Sequence, residues 1–256
     1  MDYLIKVKGY SFLEAVETII GHTAIQAPVY EKPQLKEENK PLLLPEKCAS
    51  NRVITEYLFG RGIDFEIINY CISNDLIFES LPYHNVVFVG YDEKKEPKYA
   101  AYRSTNKRRI MGDCSGSKKD YSFRLGKENL EEVHLFECAI DLLSYATLAK
   151  LNGQDWKEMS FVSLSGVYSP AKKIEDSKVP IALEKYLGSN PSVRKIRIHF
   201  DNDIAGRKAA QTLKIILPDK YEIVDEPPKA GKDFNDFLCM QMGIYNKKTH
   251  ERNEER

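Results

Sequence analysis

The sequence has 256 residues, 42% of them hydrophobic and 30% charged, which is typical of a globular protein with one or two domains. The formal net charge is zero, so a nucleic-acid-binding surface would have to come from local clustering of basic residues. There is no apolar run of about 18 residues or more and no secretory leader pattern, which predicts a cytoplasmic protein without a membrane span.

The cysteine pattern gives no sign of a disulfide framework or a zinc site. The five cysteines are far apart and form no Cys-x-x-Cys pair, and His22, His84 and His250 share no metal-ligand spacing with any of them. Free thiols in a reducing compartment are the expected state.

The first segment, residues 1–25, carries a short helical pattern. Ser11 is a suitable N-cap and Gly21 a suitable end, and apolar residues between them recur at helical spacing: Phe12, Ala15, Val16, Ile19 and Ile20. Four prolines and a charged run then predict an exposed linker over residues 26–45.

Residues 46–127 predict a small α+β domain. Apolar spacing indicates helices within residues 53–58 and 65–72, separated by a glycine turn. The stretch NVVFVGYDEKKEPKYAAYRS is typical of a β-hairpin, and we expect DYSFRL to add a third strand to it.

Residues 128–245 predict a parallel sheet with helices on both faces. The strand-like runs VHLFEC, SFVSLSG, KIRIHFDND and YEIVDEP alternate with helical patterns after Ala139, Ala171, Ala205 and Phe234. Trp156 falls in an expected exposed turn or helix start, and the charged residues 246–256 form a predicted tail.

Acidic residues follow the ends of these strands. Glu137 ends the first strand, Asp201 and Asp203 end the third, and Asp233 comes after the fourth. The carboxyl ends of parallel strands meet at one edge, where α/β proteins bind their ligands. Crowded carboxylates repel each other unless a cation is present, and all-oxygen ligands favour Mg²⁺ or Mn²⁺. The alternative is that Asp201 or Asp203 merely caps the helix that begins near Ala205.

These residues resemble the motifs of the Toprim family, the metal-binding α/β domain of bacterial primases, of type IA and type II topoisomerases and of some nucleases. Glu137 and the DND sequence at 201–203 match the family's glutamate and DxD, and the likeness is greatest to bacterial-type primases. It is carried by FECAIDLLS (136–144), SLSG (163–166), FDNDIAGRKAA (200–210) and GKDFNDFL (231–238). The sequence departs from the pattern at Cys138, where glycine is usual, and at Asn235, where the second late acid is shifted to Asp236.

The resemblance extends upstream. YLFGRGIDFEIINYCI (57–72) and GSKKDYSFRL (116–125) are similar to the DUF3991-like domain that precedes Toprim in primase-like proteins of mobile genetic elements. GYSFLEAVETIIG (9–21) resembles the helix that closes a primase-type zinc-binding domain, so residues 1–25 are interpreted as a remnant of such a region in a longer protein. The resemblance thus implies an α/β Toprim domain preceded by a smaller α+β domain.

The resemblance also implies roles for the acids. Asp201, Asp203 and Asp233 would hold Mg²⁺ or Mn²⁺, Glu137 would be a general acid/base or a fourth ligand, and Asp141, at the primase's second acid, would support it. The predicted function is a primase-like nucleotidyltransferase core from a plasmid or transposon replication system. Its expected partners are single-stranded DNA, nucleotides and a helicase or other replication protein. Two alternatives stay open: a metal-dependent Toprim nuclease, and a non-catalytic DNA-binding accessory module.

A basic segment lies upstream of the acids. Residues 103–124 contain seven basic residues against two acids, and five of the seven are the candidates for binding nucleic acid or nucleotide: Arg103, Arg108, Arg109, Lys118 and Lys119. Charge alone fits a solvated loop equally well, and the acidic site nearby favours phosphate binding. Arg207 and Lys208 are interpreted as solvated helix surface, and His134 and His199 as buried core residues.

Overall fold

The computed structural model describes residues 2–8, 10, 18, 40–166, 168–171 and 173–244. Two compact units are present, Met1–Asn39 and Lys40–Arg256. In the first unit, helix α1 spans Asp2–Lys6. The helix predicted over residues 12–20 lies outside the described residues apart from Thr18, as do residues 26–39 of the predicted linker and the tail after residue 245. In the described part of the chain, no helix has the length and apolar character that a membrane crossing requires.

An antiparallel sheet with two helices forms the first half of the second unit. Helices α2 (Arg52–Phe59) and α3 (Phe65–Ser73) confirm the two predicted helices. Four strands follow in the spatial order β1-β2-β3-β4: Ile77–Glu79, Val86–Tyr91, Pro97–Arg103 and Met111–Asp113. Strands β2 and β3 are the predicted hairpin.

The segment DYSFRL does not join this hairpin, so that prediction was wrong. Met111–Asp113 pairs with β3 instead, and Arg124–Gly126 forms strand β5 at the edge of the second sheet. The chain crosses closely over β2 on the way, because a Cβ on Gly90 would lie 1.7 Å from the carbonyl oxygen of Tyr121. Phe123 then packs edge-on against Phe88, with ring centroids 5.5 Å apart. Burial of Phe123 in the shared core explains why this segment passes between the two sheets.

The second sheet confirms the predicted α/β architecture. Its parallel strands are β6 (Glu132–Phe136), β7 (Ser160–Ser163), β8 (Lys195–Ile198) and β9 (Glu222–Asp225). The spatial order is β5-β7-β6-β8-β9, and because β5 is antiparallel to β7 the sheet is mixed. The accompanying helices are α4 (Ala139–Leu151), α5 (Ile181–Ser189), α6 (Ile204–Ile216) and α7 (Phe234–Gln241). The helix expected after Ala171 begins at Ile181, directly after Pro180, where a proline is well tolerated.

Both faces of the parallel sheet are buried. On one face, Val133 and Leu135 pack with residues of α5 and α6. On the other face, Phe136 packs with α4 and with residues of α2 and α3, so the two sheets share one core cluster. His134 and His199 are buried on this side with 2.8 Å between Nδ1 and Nε2, which confirms their prediction as core residues.

Trp156 is buried in the same region, and its predicted exposure was wrong. Its side chain is 2% exposed and packs edge-on against Tyr70 of α3, with ring centroids 5.0 Å apart. The partner lies 86 positions away along the chain, which is why local sequence gave no sign of this contact.

Candidate active site

Glu137 and Asp201 lie side by side at the carboxyl edge of the parallel sheet. Glu137 directly follows β6, and its Oε1 accepts a hydrogen bond of 3.1 Å from the amide of Asp201, just beyond β8. Gly206, in the first turn of α6, permits this arrangement. A Cβ on Gly206 would lie 2.2 Å from the Asp201 carbonyl oxygen and 2.8 Å from Glu137 Oε1. The helix can therefore approach the two acids only with glycine at this position.

Asp203 is the N-cap of α6, as the alternative interpretation of the acids anticipated. Its Oδ1 accepts a hydrogen bond of 2.9 Å from the amide of Gly206, and this bond lowers the pKa of the Asp203 carboxyl. The cap uses one oxygen only. The other, Oδ2, faces Lys232, so capping does not prevent this carboxylate from meeting a cation.

Lys232 joins the two aspartates of the DND sequence. Its Nζ lies 3.2 Å from Asp201 Oδ2 and 3.3 Å from Asp203 Oδ2, and its carbonyl oxygen accepts a hydrogen bond of 2.7 Å from the amide of Asn202. These contacts, above all the hydrogen bond to Asp201, raise the pKa of Lys232. A positive charge thus already bridges the two carboxylates. The sequence analysis did not single out this lysine, although it stands directly before Asp233 in the GKDFNDFL motif.

Arg207 is a positioning residue and not solvated helix surface, which corrects its sequence-based interpretation. Its guanidinium donates to the carbonyl oxygens of Phe200 and Asp201 at 2.8 and 3.1 Å and to Asp225 Oδ1 at 2.8 Å. The side chain therefore ties the loop between β8 and α6 to the end of β9. An arginine one residue after the glycine of FDNDIAGRKAA was the available signal.

Asp141 and Asp233 form the second half of the acidic edge. Asp141, in the first turn of α4, is 6% exposed and accepts hydrogen bonds from Cys138 Sγ at 2.8 Å and from the Asn235 amide at 3.1 Å. Asp233 caps α7 by accepting from the Asp236 amide at 2.7 Å. The two residues at which the motif departs from the Toprim pattern, Cys138 and Asn235, thus both hold Asp141.

Burial sets the protonation of the acidic edge. Burial, followed by the charge of Asp201, raises the pKa of Glu137 to about 7. Burial, followed by the charge of Asp233, raises the pKa of Asp141 to about 7. The pKa values of Asp201 and Asp233 are also raised, mainly by burial. Groups with pKa values near neutrality are suited to moving protons at physiological pH.

The donor set fits a hard divalent cation. The acids at this edge offer carboxylate oxygens, which Mg²⁺ and Mn²⁺ prefer, and Asp201 and Asp203 already share one positive charge on Lys232. The Lys232 side chain is 57% exposed, so it has room to move away from the two aspartates when a metal ion binds. Among the described residues, no three of these acids bring carboxylate oxygens within 4.8 Å of one another, so a bound ion would draw the carboxylates closer.

The basic segment lies on β3, β4 and the loops that follow them. Arg103 sits on β3 and donates to the Tyr57 hydroxyl at 3.2 Å. Arg108 and Arg109 are exposed in the turn between β3 and β4, and Lys118 is exposed after β4. Lys119 forms an ion pair of 3.0 Å with Asp113.

A pocket lies between the two sheets, next to Arg103. It has a volume of about 280 Å³ and is lined from the antiparallel sheet by Tyr102 and Arg103 and from the parallel sheet by Cys138 and Gly166. Gly166 donates its amide to the Glu137 carbonyl oxygen at 2.9 Å, which places the pocket directly beside that glutamate. The exposed side chains of Arg108, Arg109 and Lys118 are not part of its lining.

Two protein-family models match this chain. Residues 134–238 match the model described as Toprim-like. Residues 134–238 therefore form a Toprim-like domain. Residues 56–129 match the model for DUF3991, a protein family of unknown function, so the predicted DUF3991-like region before a Toprim domain is confirmed. No curated protein matches the chain significantly.

Solved structures of primases align with much of this chain at low identity. The primase fragment of the bacteriophage T7 primase-helicase is 18% identical, with a TM-score of 0.49 and coverage of 73% of this chain and 69% of that one. The DnaG catalytic core is 13% identical, with a TM-score of 0.48 and coverage of 79% and 72%. The E. coli primase catalytic core is 12% identical, with a TM-score of 0.47 and coverage of 80% and 72%.

Proposed function

We propose that this Toprim-like protein is the core of a primase-like nucleotidyltransferase that joins nucleotides on single-stranded DNA with Mg²⁺ or Mn²⁺. The observation that carries the proposal is the shared contact of Asp201 and Asp203 with one cationic group beside Glu137. Two carboxylates held around a positive charge, next to a carboxyl with a pKa of about 7, combine a cation site with a proton acceptor.

The aspartates would bind the metal, and Glu137 would take part in proton transfer. Asp201, Asp203 and Asp233 would hold the divalent metal, which when bound lowers the pKa of an attacking 3′-hydroxyl and neutralises charge on departing pyrophosphate. Glu137 would accept the hydroxyl proton, or else add a fourth oxygen ligand. Asp141 does not need to touch substrate in this scheme, because its hydrogen bonds fix the start of α7 and so orient Asp233.

The pocket between the sheets would hold a nucleotide or the template strand. Arg103 in its wall offers a positive charge for phosphate, and Arg108, Arg109, Lys118 and Lys119 would extend that charge along the DNA backbone. Gly112 in the pocket wall lies close to the Tyr102 side chain, because a Cβ there would be 2.9 Å from the tyrosine hydroxyl oxygen.

The proposal also covers the source of the protein, its partner and its location in the cell. The upstream DUF3991 region is the feature that resembles primase-like proteins of mobile elements, so a plasmid or transposon replication system is the proposed source. A helicase or other replication protein is the proposed partner. Because the reaction would consume nucleoside triphosphates on DNA, the cytoplasmic location predicted from the sequence is part of the proposal.

A primer-synthesis assay tests this function. Purified protein is incubated with single-stranded DNA and nucleoside triphosphates, with Mg²⁺, Mn²⁺ or EDTA, and labelled oligonucleotide products are resolved. We expect metal-dependent products from the wild type and from Asp219→Asn, an exposed aspartate away from the site. Asp203→Asn should lower the rate by about 10²–10³, the usual cost of removing one preorganised electrostatic group.

The other two functions would give different results in the same experiment. Cleavage of the DNA without nucleoside triphosphates, lost in Asp203→Asn, would replace the proposal with a nuclease that uses water as nucleophile. Salt-sensitive DNA binding with neither synthesis nor cleavage would contradict both enzymatic functions and leave a DNA-binding accessory module.

A further inference from the structure

A second cluster of metal-binding side chains lies in the antiparallel half of the protein. Cys48, Glu79 and His84 each place one ligand atom within 4.8 Å of the others. The sequence analysis found no metal-ligand spacing between His84 and a cysteine, because Cys48 is 36 positions away. The isolated bridge between Lys47 and Ser80 brings the two segments together.

Glu79 is held rigidly at the centre of this cluster. Its residue is 2% exposed, and its Oε2 accepts hydrogen bonds from the amides of Val53 at 2.9 Å and Ile54 at 3.3 Å, at the start of α2. Its Oε1 faces the other way and lies 2.5 Å from His84 Nδ1. One oxygen is thus anchored by the helix, and the other is presented to the cluster.

The backbone fixes the two other residues around Glu79. The Cys48 amide donates to the Glu79 carbonyl oxygen at 2.8 Å. The His84 amide donates to the Ser80 carbonyl oxygen at 2.8 Å, and the His84 carbonyl oxygen accepts from Thr105 Oγ1 at 3.0 Å. These bonds hold His84 at a φ of 52°, a left-handed conformation that non-glycine residues seldom adopt.

We propose that Cys48, Glu79 and His84 bind a zinc ion that fastens the chain entering the antiparallel sheet to β1 and the following turn. A sulfur, a nitrogen and a carboxylate oxygen are the ligands that Zn²⁺ uses in proteins, whereas Mg²⁺ avoids sulfur. Three protein ligands leave a fourth position for water.

The geometry needs only a small adjustment. Bonds to zinc of about 2.0–2.3 Å place tetrahedral ligand atoms roughly 3.5 Å apart, so Glu79 Oε1 and His84 Nδ1, which are 2.5 Å apart, have to separate by about 1 Å. The His84 side chain is 45% exposed and can rotate to do this. Binding releases the Cys48 thiol proton to solvent and leaves a His84 nitrogen lone pair on the metal, with Glu79 as an anionic ligand.

A simple ion pair between Glu79 and His84 would account for their contact but not for the position of Cys48. The experiment therefore tests whether the Cys48 thiolate binds the metal. Chelator-treated protein is titrated with Co²⁺, a coloured probe for zinc sites, and then with Zn²⁺. We expect one equivalent of Co²⁺ to give a thiolate-to-cobalt charge-transfer absorption that Zn²⁺ abolishes, and Zn²⁺ to raise the melting temperature.

Two variants and a control locate the ion. Cys48→Ser should lose the charge-transfer absorption, and so should His84→Asn, which keeps a residue that tolerates the left-handed backbone. Cys114→Ser, which removes another partly exposed free thiol, should retain it. Absence of the absorption in the wild type, or its persistence in Cys48→Ser, would overturn the proposal. A variant that keeps its circular dichroism but loses the absorption supports it.

Discussion

The acidic edge of the parallel sheet and the basic segment of residues 103–124 are built in opposite ways. Four of its acids accept a hydrogen bond from a backbone amide: Glu137 from Asp201, Asp203 from Gly206, Asp233 from Asp236 and Asp141 from Asn235. The fifth, Asp201, is paired with Lys232. In the basic segment, Arg108, Arg109 and Lys118 are exposed in loops at the surface.

This difference in side-chain fixation indicates how each region can function. Carboxylates fixed by strand ends and helix starts are preorganised, as electrostatic catalysis requires. Long basic side chains on loops gain little from fixed geometry, because attraction to a phosphate backbone tolerates displacement. We therefore expect small changes to disable the acidic edge and charge changes to weaken the basic segment gradually.

The largest effect should come from a single methyl group at the acidic edge. In Gly206→Ala the new Cβ would collide with the Asp201 carbonyl oxygen at 2.2 Å, so we expect a loss of at least about 2 kcal/mol of unfolding free energy and of the proposed synthesis. Gly188→Ala is the matched control in α5, where a Cβ meets nothing within 4 Å, and it should gain up to about 1 kcal/mol. Urea melts measure both. Equal stability of the two variants would show that the close approach at Gly206 is not needed.

The second effect is a pH dependence of stability that arises at the acidic edge. Because burial raises the pKa of Glu137 from its ordinary value of 4.5 to about 7 in the folded protein, folding favours the neutral form of this carboxyl. The associated stability is present below about pH 4.5 and is lost as the pH rises through 7. Asp141, whose pKa is also about 7, contributes in the same direction.

Denaturant melts in EDTA from pH 5 to 8 measure this effect, with the pH range chosen to span the pKa of about 7. We expect the wild type to lose more stability across that range than Glu137→Gln, whose neutral amide mimics the protonated acid. Glu131→Gln, an exposed glutamate, should follow the wild type. A Glu137→Gln variant with an unchanged pH slope would place the titration elsewhere.

The smallest effect should be found in the basic segment. Replacing Lys118 and Lys119 by alanine should weaken single-strand binding similarly for all sequences and lower the slope of log affinity against log salt by about 1–2. The control variant replaces Lys94 and Lys220, both exposed and outside the segment, by alanine. It removes the same amount of positive charge and should leave the salt slope nearly unchanged. If both double variants behave alike, net charge and not this segment governs binding.

The sequence predicted the acidic edge better than its surroundings. Parallel strands must end at one edge, so Glu137, Asp201 and Asp203 could be brought together from strand order alone. The segment DYSFRL was assigned to the wrong sheet, because strand propensity does not show which edge a strand will join. The proximity of Cys48 to His84 and the packing of Trp156 on Tyr70 depend on chain crossings that leave no local pattern.

Metal-dependent stabilisation of the wild type and Asp201→Asn tests the central claim most directly. Thermal melts of both proteins are recorded in EDTA and in millimolar Mg²⁺ or Mn²⁺. An ion that binds only the folded wild type should stabilise it by about 2.7 kcal/mol at a hundredfold excess over Kd. Asp201→Asn, which loses a carboxylate oxygen facing Lys232, should lose most of that gain. An equal response to metal in the two proteins would contradict the assignment of the acidic edge as a divalent metal site.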